Sequence, residues 1–218
     1  MINARFPGPT WTSSHEYGEG ISNLHRKLCY FHIPKCASTW MRDYLARLGT
    51  QRDDIWLYCN FTEHDMSGYR PLILLRDPVT RWVSNCPAVD KIVQEAQVPA
   101  QIDHIFDNLA EWMQDEHSSP QNDFIAGLDL DQAVFFKCDK NLSRNVEHFL
   151  RQQGFDMPAP VPQNVSERSE QYVSATQAWR GILDTPKYQQ VFQKYFAQDY
   201  ELIQNVTFYR LGEHDGMV

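Results

Sequence analysis

The chain has 218 residues, of which 42% are hydrophobic and 13% aromatic, as in a single globular domain with a substantial core. No apolar run approaches the roughly 18 residues of a membrane span, and the N-terminus lacks the apolar segment of a signal peptide, so we expect a cytoplasmic protein with no membrane partner. The net charge of −8 argues against nucleic acid and long sulfated polysaccharides as partners, because both require broad positive surfaces.

The charge is distributed unevenly along the chain. Residues 1–81 contain 10 Lys and Arg against 8 Asp and Glu, whereas residues 82–218 contain 10 against 20. The basic charge therefore lies in the first part of an otherwise acidic protein. This pattern favours a small anionic cofactor as the ligand.

The five cysteines are scattered, and no two of them form a C-x-x-C pair. Reduced cysteine at apolar positions behaves as a small hydrophobic residue. We therefore predict neither a metal site nor a disulfide framework.

Residues 1–26 are polar and rich in Gly, Ser and Pro, and we predict an irregular N-terminal arm, with a disordered tail as the alternative. No internal repeat, low-complexity tract or domain break interrupts the rest of the chain. We assign residues 27–210 to one domain and residues 211–218 to a C-terminal tail.

One stretch, residues 27–49, predicts a strand, a tight turn and a helix. An apolar run opens it, and apolar residues at helical spacing close it at Gly49, a usual residue after a helix C-terminus. The turn contains Lys35, and the first helical turn contains Ser38 and Thr39. N–H groups at the start of a helix have no intrahelical partner and lie at the positive end of the dipole, so this junction predicts an anion site.

Later apolar runs predict strands at 55–59, 71–75 and 133–138. Helical periodicity and capping signals predict helices that begin at Pro78 and that span 101–114, 141–154, about 168–183 and 187–203. The helix at 141–154 has Asn141 as its predicted N-cap and Gly154 at its end. Strands that alternate with helices form βαβ units, so the predicted fold class is α/β: a single domain with a central parallel sheet flanked by helices.

Lys35 and Arg76 each follow a predicted strand directly. Ligands of such sheets bind outside the carboxyl ends of the strands. Parallel strands would bring these two cations to the same edge, although they are far apart in sequence.

The loop at 34–39 differs from the P-loop of nucleoside triphosphatases, which reads G-x-x-x-x-G-K-[ST]. It has no glycine, and its lysine precedes the hydroxyl pair by three residues. We therefore do not expect it to hold a triphosphate with magnesium in the usual way.

Two motifs resemble those of the sulfotransferases that use 3′-phosphoadenylyl sulfate (PAPS). Residues 31–39, F-H-I-P-K-C-A-S-T, resemble the 5′-phosphosulfate loop of that family, and residues 74–84, L-L-R-D-P-V-T-R-W-V-S, resemble its 3′-phosphate motif. The resemblance is closest to the carbohydrate sulfotransferase branch and its bacterial relatives, and it covers most of residues 28–205. It implies a P-loop-like, nucleotide-binding sulfotransferase fold, with PAPS as cofactor and 3′-phosphoadenosine 5′-phosphate (PAP) as product.

The resemblance also implies site residues. The 5′-phosphate and sulfate would be held by the loop and the helix start, that is by Lys35, Cys36, Ala37, Ser38, Thr39 and Trp40. Arg76 would bind the 3′-phosphate, and Ser84, eight residues later, would add a hydroxyl. Lys35 is also the predicted catalytic residue, because it would neutralise the charge that develops on the bridging oxygen as PAP leaves.

Transfer to a small-molecule or carbohydrate acceptor needs a general base that takes the proton of an acceptor hydroxyl. His64 is our first candidate, because it follows the second predicted strand at the same sheet edge as Lys35 and because the resembling family often has a histidine or carboxylate there. Glu63 is the second candidate, and His117 is a third that would border the acceptor pocket.

Other residues near the motifs have structural interpretations. Asp77, directly before Pro78, is interpreted as structural, and Trp40 and Trp82 as core residues. Three arginines are interpreted as solvated helix charges: Arg42, Arg47 and Arg81. Arg168 follows a proline-rich loop and is interpreted as the ordinary charge of a helix start.

Ala37 departs from the family pattern, in which glycine is usual. Alanine has fewer φ/ψ choices, so we expect a turn that tolerates a Cβ, with binding retained. Two alternatives to a sulfotransferase stay open: a P-loop-like small-molecule kinase, and a catalytically silent protein that binds PAP. The sequence makes no prediction of the oligomeric state.

Overall fold

The computed structural model describes residues 19–49, 56–60, 66–84, 117–126, 128–156, 177, 180–181 and 183–212. The elements in chain order are β1 (Glu19–Asn23), β2 (Leu28–Phe31), α1 (Ser38–Gly49), β3 (Trp56–Asn60), β4 (Arg70–Leu75), α2 (Pro78–Val83), α3 (Gln121–Ile125), β5 (Val134–Lys137), α4 (Leu142–Gln152), α5 (Pro186–Tyr195) and α6 (Ala197–Asn205).

The five strands form one sheet in the order β3-β1-β2-β4-β5. Strands β2, β4 and β5 are parallel to one another, which confirms the predicted α/β domain with helices flanking a parallel core. Strand β1 pairs antiparallel with both of its neighbours, so the sheet as a whole is mixed. The expectation of a wholly parallel sheet is therefore corrected at its β1 and β3 end.

The prediction of an irregular arm is wrong for Glu19–Asn23, which form β1 inside the sheet. Ile21 is the only strongly apolar residue of this segment, and Gly20 is unfavourable in strands, so local sequence carries no strand signal. Pairing with β2 on one side and β3 on the other supplies the hydrogen bonds that the local sequence does not predict. The remainder of the predicted arm, residues 1–18, lies outside the described residues, as does most of the predicted tail.

The central strands are buried as their composition predicts. All four residues of β2 are buried, and β4 is buried from Pro71 to Leu75, as expected for strands covered on both faces. Helix α4 packs on β5 through Phe149, whose ring meets that of Phe136 edge-on at 5.7 Å. The core is thus continuous across the parallel part of the sheet.

The helix predictions have mixed outcomes. Helix α2 begins at Pro78, and Asn141 is the N-cap residue of α4, although its side chain makes no capping hydrogen bond. The helix predicted at 187–203 is two helices, α5 and α6, because the backbone at Phe196 (φ −102°, ψ 25°) departs from helical geometry. The predicted helix at 101–114, and most of that at 168–183, lie outside the described residues. None of the described helices is both long and apolar enough to cross a membrane.

Strand direction places the ends of β2, β3 and β4 at one edge of the sheet. β2 and β4 are parallel neighbours. β3 also runs in the direction of β2, because both pair antiparallel with β1, and Phe31 and Cys59 both lie opposite Gly20. The loops after these three strands therefore begin at the same edge, where the predicted anion site lies.

Candidate anion-binding site

The loop that follows β2 turns sharply without a glycine. Lys35 (φ 62°) and Ala37 (φ 56°) both adopt the left-handed conformation, and the N–H of Cys36 donates to the carbonyl of Ile33 at 3.2 Å. Left-handed backbone costs a residue with a Cβ roughly 1–2 kcal/mol. The expected turn that tolerates a Cβ at Ala37 is thus a strained one, and the Cys36 N–H, which we predicted to hold phosphate, is already used within the turn.

The next four backbone N–H groups point to the function of this junction. The carbonyl of Ala37 accepts the first bond of α1, from the N–H of Met41 at 3.0 Å. Within the described part of the chain, no hydrogen bond uses the N–H groups at the helix start, which belong to Ala37, Ser38, Thr39 and Trp40. Such groups, at the positive end of a 12-residue helix, are the donors that an anion needs.

Arg76 joins this loop from the neighbouring strand. It follows β4, and its Nη1 donates to the carbonyl oxygen of Lys35 at 3.0 Å. The predicted convergence of these two residues, 41 positions apart, is confirmed. Two cationic residues and the free end of α1 therefore share one edge of the sheet.

Arg81 binds the backbone of the loop, a role that the sequence did not predict for it. Its side chain is only 1% exposed, its Nε donates to the carbonyl of Pro34 at 2.8 Å, and its Nη1 donates to the carbonyl of Ser119. The interpretation as a solvated helix charge is wrong for this residue. A signal was present, because Arg81 directly precedes the apolar pair Trp82 and Val83 on a short helix.

Gln121 was also missed, although its side chain binds both the backbone of Arg76 and the Cys36 thiol. Its amide oxygen Oε1 accepts from the backbone N–H of Arg76 at 2.9 Å and from the Cys36 thiol at 3.0 Å. Its Nε2 donates to the Arg76 carbonyl at 2.7 Å and to Asp199 Oδ2 at 3.3 Å. It lies within residues 28–205, which the family resemblance covers, but no sequence signal distinguished it from its neighbours.

Asp199 of α6 anchors the segment that carries Gln121. Its carboxylate accepts the backbone N–H groups of Gln121 at 2.9 Å and of Asn122 at 2.8 Å. Burial raises the pKa of the Asp199 carboxyl, although these hydrogen bonds and the charge of Arg81 act in the opposite direction. α6 is thereby linked to the ends of both β2 and β4.

Cys36, which is part of the loop, interacts with Cys138, the residue that follows β5. Burial raises the pKa of the Cys36 thiol, but a hydrogen bond from Cys138 and the charges of Arg81 and Arg76 outweigh it, so the net pKa lies below the ordinary value. The same hydrogen bond, together with burial, raises the pKa of Cys138. Arg81 and Arg76 therefore both place positive charge beside the loop.

The remaining predicted ligands differ in exposure. Thr39 is exposed, whereas Ser38 is buried and Trp40 stacks on Tyr44 at 5.2 Å, which confirms Trp40 as a core residue. Ser84 ends α2 as its C-cap, and its hydroxyl donates to the carbonyl of Arg81 at 2.5 Å. Ser84 thus lies one residue past the end of this helix.

Asp77 is the N-cap of α2, as interpreted. Its Oδ1 accepts from the backbone N–H and from the hydroxyl of Thr80, each at 2.8 Å. This use of the carboxylate in capping matches the structural role expected for it.

Of the three candidate bases, only His117 lies among the described residues. It is half-buried, two positions before Ser119, whose carbonyl contacts Arg81. His64 and Glu63 lie outside the described residues, as does Arg168. One structural observation supports His64: β3, the strand that precedes it in the chain, ends at the sheet edge where Lys35 lies.

Comparison with known proteins gives one positive result. The model of the sulfotransferase family (Sulfotransfer_2) matches residues 21–204, which include every element that forms the site. No curated protein and no solved structure shows a significant match.

Proposed function

Because the chain belongs to the sulfotransferase family, we propose that it transfers the sulfuryl group of PAPS to an acceptor hydroxyl. The observation that carries this proposal is the junction of Arg76 with the Lys35 loop, beside the unused N–H groups of α1. PAPS bears anionic groups at its 5′ and 3′ ends. A site with two cationic residues and a helix N-terminus is complementary to both of them.

In this proposal the chain contributes positioning and charge stabilisation. The N–H groups at 37–40, with the Ser38 and Thr39 hydroxyls, bind the 5′ end, and Arg76 binds the 3′-phosphate with a contribution from Ser84. Lys35 neutralises the negative charge that develops on the bridging oxygen. PAPS supplies the activated sulfuryl group, and in-line transfer needs little further covalent chemistry from the protein.

A general base accepts the proton of the acceptor hydroxyl as the new O–S bond forms. We propose His64 for this role, with Glu63 and His117 as the alternatives. His117 is distinguished by its place beside the segment that contacts Arg81. Single alanine variants distinguish the three candidates, because replacement of the true base should lower kcat and leave the affinity for PAP unchanged.

Lys35→Ala and Arg76→Ala test the proposed division of roles. We expect Lys35→Ala to lower kcat by about 100-fold or more, because a preorganised charge next to the leaving group contributes roughly 3 kcal/mol. Arg76→Ala should weaken PAP binding by about 10- to 100-fold, the usual value of a charge-assisted hydrogen bond. Isothermal titration with PAP and a sulfate-transfer assay measure the two effects.

Arg47→Ala is the matched control, because it removes a cation from the last turn of α1, far from the helix start. It should change neither PAP affinity nor kcat. If the wild-type protein has no affinity for PAP, the proposal is wrong. Greater thermal stabilisation by ATP with magnesium than by PAP would instead support the small-molecule kinase.

The acceptor we propose is a small molecule or a carbohydrate. The acidic balance of residues 82–218 favours a neutral or cationic acceptor over a polyanion. Rates on small alcohols and sugars should therefore exceed those on heparan-like chains. PAP binding without transfer to any alcohol, sugar or phenol would indicate the catalytically silent protein.

A further inference from the structure

We propose that Gln121 is a positioning residue that couples the two anion sites, by holding the backbone of Arg76 against the Lys35 loop. The inference rests on the proposed function, since it concerns how the same site binds PAP. It goes beyond that function because neither of the two recognised motifs contains Gln121.

The side chain of Gln121 continues the backbone hydrogen bonding of β4 by one residue beyond the end of the strand. The last ladder contact of β4 is the bond from the Cys138 N–H to the carbonyl of Leu75, at 2.8 Å. One residue further, Gln121 accepts from the N–H of Arg76 and donates to its carbonyl, at 2.9 and 2.7 Å. A single amide therefore fixes both peptide groups that flank the Arg76 Cα.

The same amide reaches the 5′ loop. Oε1 of Gln121 also accepts from the thiol of Cys36, at 3.0 Å, and Cys36 lies between the two left-handed residues of the turn. Arg76 in turn donates from Nη1 to the Lys35 carbonyl. Gln121, Arg76 and the loop thus form a closed set of contacts, in which displacement of one member displaces the others.

The orientation of Gln121 is itself fixed. A glutamine amide can accept two hydrogen bonds and donate two, and all four positions are used here. Rotation of the amide by half a turn would place its nitrogen against two donors and its oxygen against the carbonyl of Arg76 and the carboxylate of Asp199. Because Gln121 is fully buried, water cannot replace a lost partner cheaply.

A double-mutant cycle distinguishes positioning from a general contribution to stability. If Gln121 acts through Arg76, then its loss should matter little once the Arg76 side chain is absent. If Gln121 merely stabilises the fold, its effect on PAP affinity should be the same in both backgrounds, or nil.

The experiment measures PAP affinity by isothermal titration for the wild type, Gln121→Ala, Arg76→Ala and the double variant. We expect Gln121→Ala to weaken binding by about 10-fold, the value of one well-placed hydrogen bond to a binding group. The double variant should bind within about 2-fold of Arg76→Ala alone, the limit expected for two residues that act as one unit. KM for PAPS should rise more than kcat falls.

Gln198→Ala is the control, because Gln198 is exposed on α6 next to Asp199, and among the described residues its side chain forms a hydrogen bond only with that of Asn122. It should leave PAP affinity unchanged. Should Gln121→Ala fail to fold, Gln121→Met keeps the length of the side chain and removes its donor and its acceptor without burying a second carboxyl group beside Asp199, and it should weaken PAP binding in the same direction.

Two results overturn the inference. One is a folded Gln121 variant with wild-type affinity for PAP, and the other is a double variant whose losses multiply. Both presuppose a wild type that binds PAP, and they leave the proposed function intact. A wild type without affinity for PAP would overturn the proposed function and this inference together.

Discussion

At the scale of single residues, the loop after β2 has a strained backbone without a glycine. Lys35 and Ala37 are both left-handed, and neither is glycine. Such strain persists only where surrounding contacts determine the backbone, and here Arg76 and Arg81 hold the carbonyls of Lys35 and Pro34. The two arginines of this motif therefore differ in role. Arg76 binds the ligand in our proposal, whereas Arg81 supports the loop.

Ala37→Gly should raise the free energy of unfolding by up to about 1 kcal/mol. Glycine removes a left-handed penalty of roughly 1–2 kcal/mol, and part of this gain is lost to the greater entropy of the unfolded chain. Urea denaturation measures the change. Ala46→Gly is the control, because Ala46 is exposed within α1 and its replacement should instead cost about 1 kcal/mol. A destabilised Ala37→Gly would show that the turn is not strained.

At the scale of elements, the end of α4 binds the turn of the β1–β2 hairpin. Gly154 is left-handed (φ 82°), and the N–H of Phe155 donates to the carbonyl of Leu150 at 3.1 Å, which closes the helix. Arg26, in the hairpin turn, donates from Nη1 to the carbonyl of Gln153 at 2.7 Å. A cation at a helix C-terminus is favourable, so the hairpin is anchored by the dipole as well.

Gly154→Ala tests this anchor and should lower the free energy of unfolding by about 1–3 kcal/mol. The left-handed conformation accounts for part of this loss. The rest arises because the added Cβ would lie 2.8 Å from Nη1 of Arg26, which must move away from the helix end. Gly181→Ala is the control, since no atom of the described residues lies within 4 Å of its added Cβ and its φ is not in the left-handed region. It should be neutral or slightly stabilising by the same thermal or urea measurement.

At the scale of the whole molecule, buried carboxyl groups make stability depend on pH. Burial raises the pKa of Asp199 and also that of Asp123, to which the charge of Asp199 contributes. Between the unfolded carboxyl pKa of about 3.9 and these raised values, the native state binds more protons than the unfolded state. Through that interval, these two groups should therefore lower the unfolding free energy as pH rises.

Comparison with Asp199→Asn tests the contribution of Asp199. The difference between the two unfolding free energies reports the Asp199 carboxyl together with its effect on the pKa of Asp123, and both contributions have the same sign. As pH rises from about 4 to neutrality, the unfolding free energy of the wild type should fall relative to that of the variant, because only the wild type gains a buried charge at position 199. Urea denaturation at several pH values measures it. If the unfolding free energy of the wild type instead rose relative to that of the variant, the hydrogen bonds of Asp199 would lower its pKa by more than burial raises it.

The elements that could be predicted from the sequence are those with a local signal. The strand–turn–helix at 27–49 and the buried strand β4 were predictable because hydrophobic period and helix-stop residues act over a few positions. The capping of α2 by Asp77 before Pro78 was predictable for the same reason. The meeting of Lys35 and Arg76 followed from topology, since parallel strands end at one edge.

The sequence by itself thus determined the α/β class, the two motifs and the sheet edge where they meet. Only the tertiary structure decided which residues support them. β1 is a strand because two neighbours pair with it, and Gln121 holds Arg76 from 45 positions away, while Asp199 holds Gln121 from a further 78. The free energy of a buried hydrogen bond depends on a partner that no local pattern specifies, so these residues gain their roles only when the chain is folded.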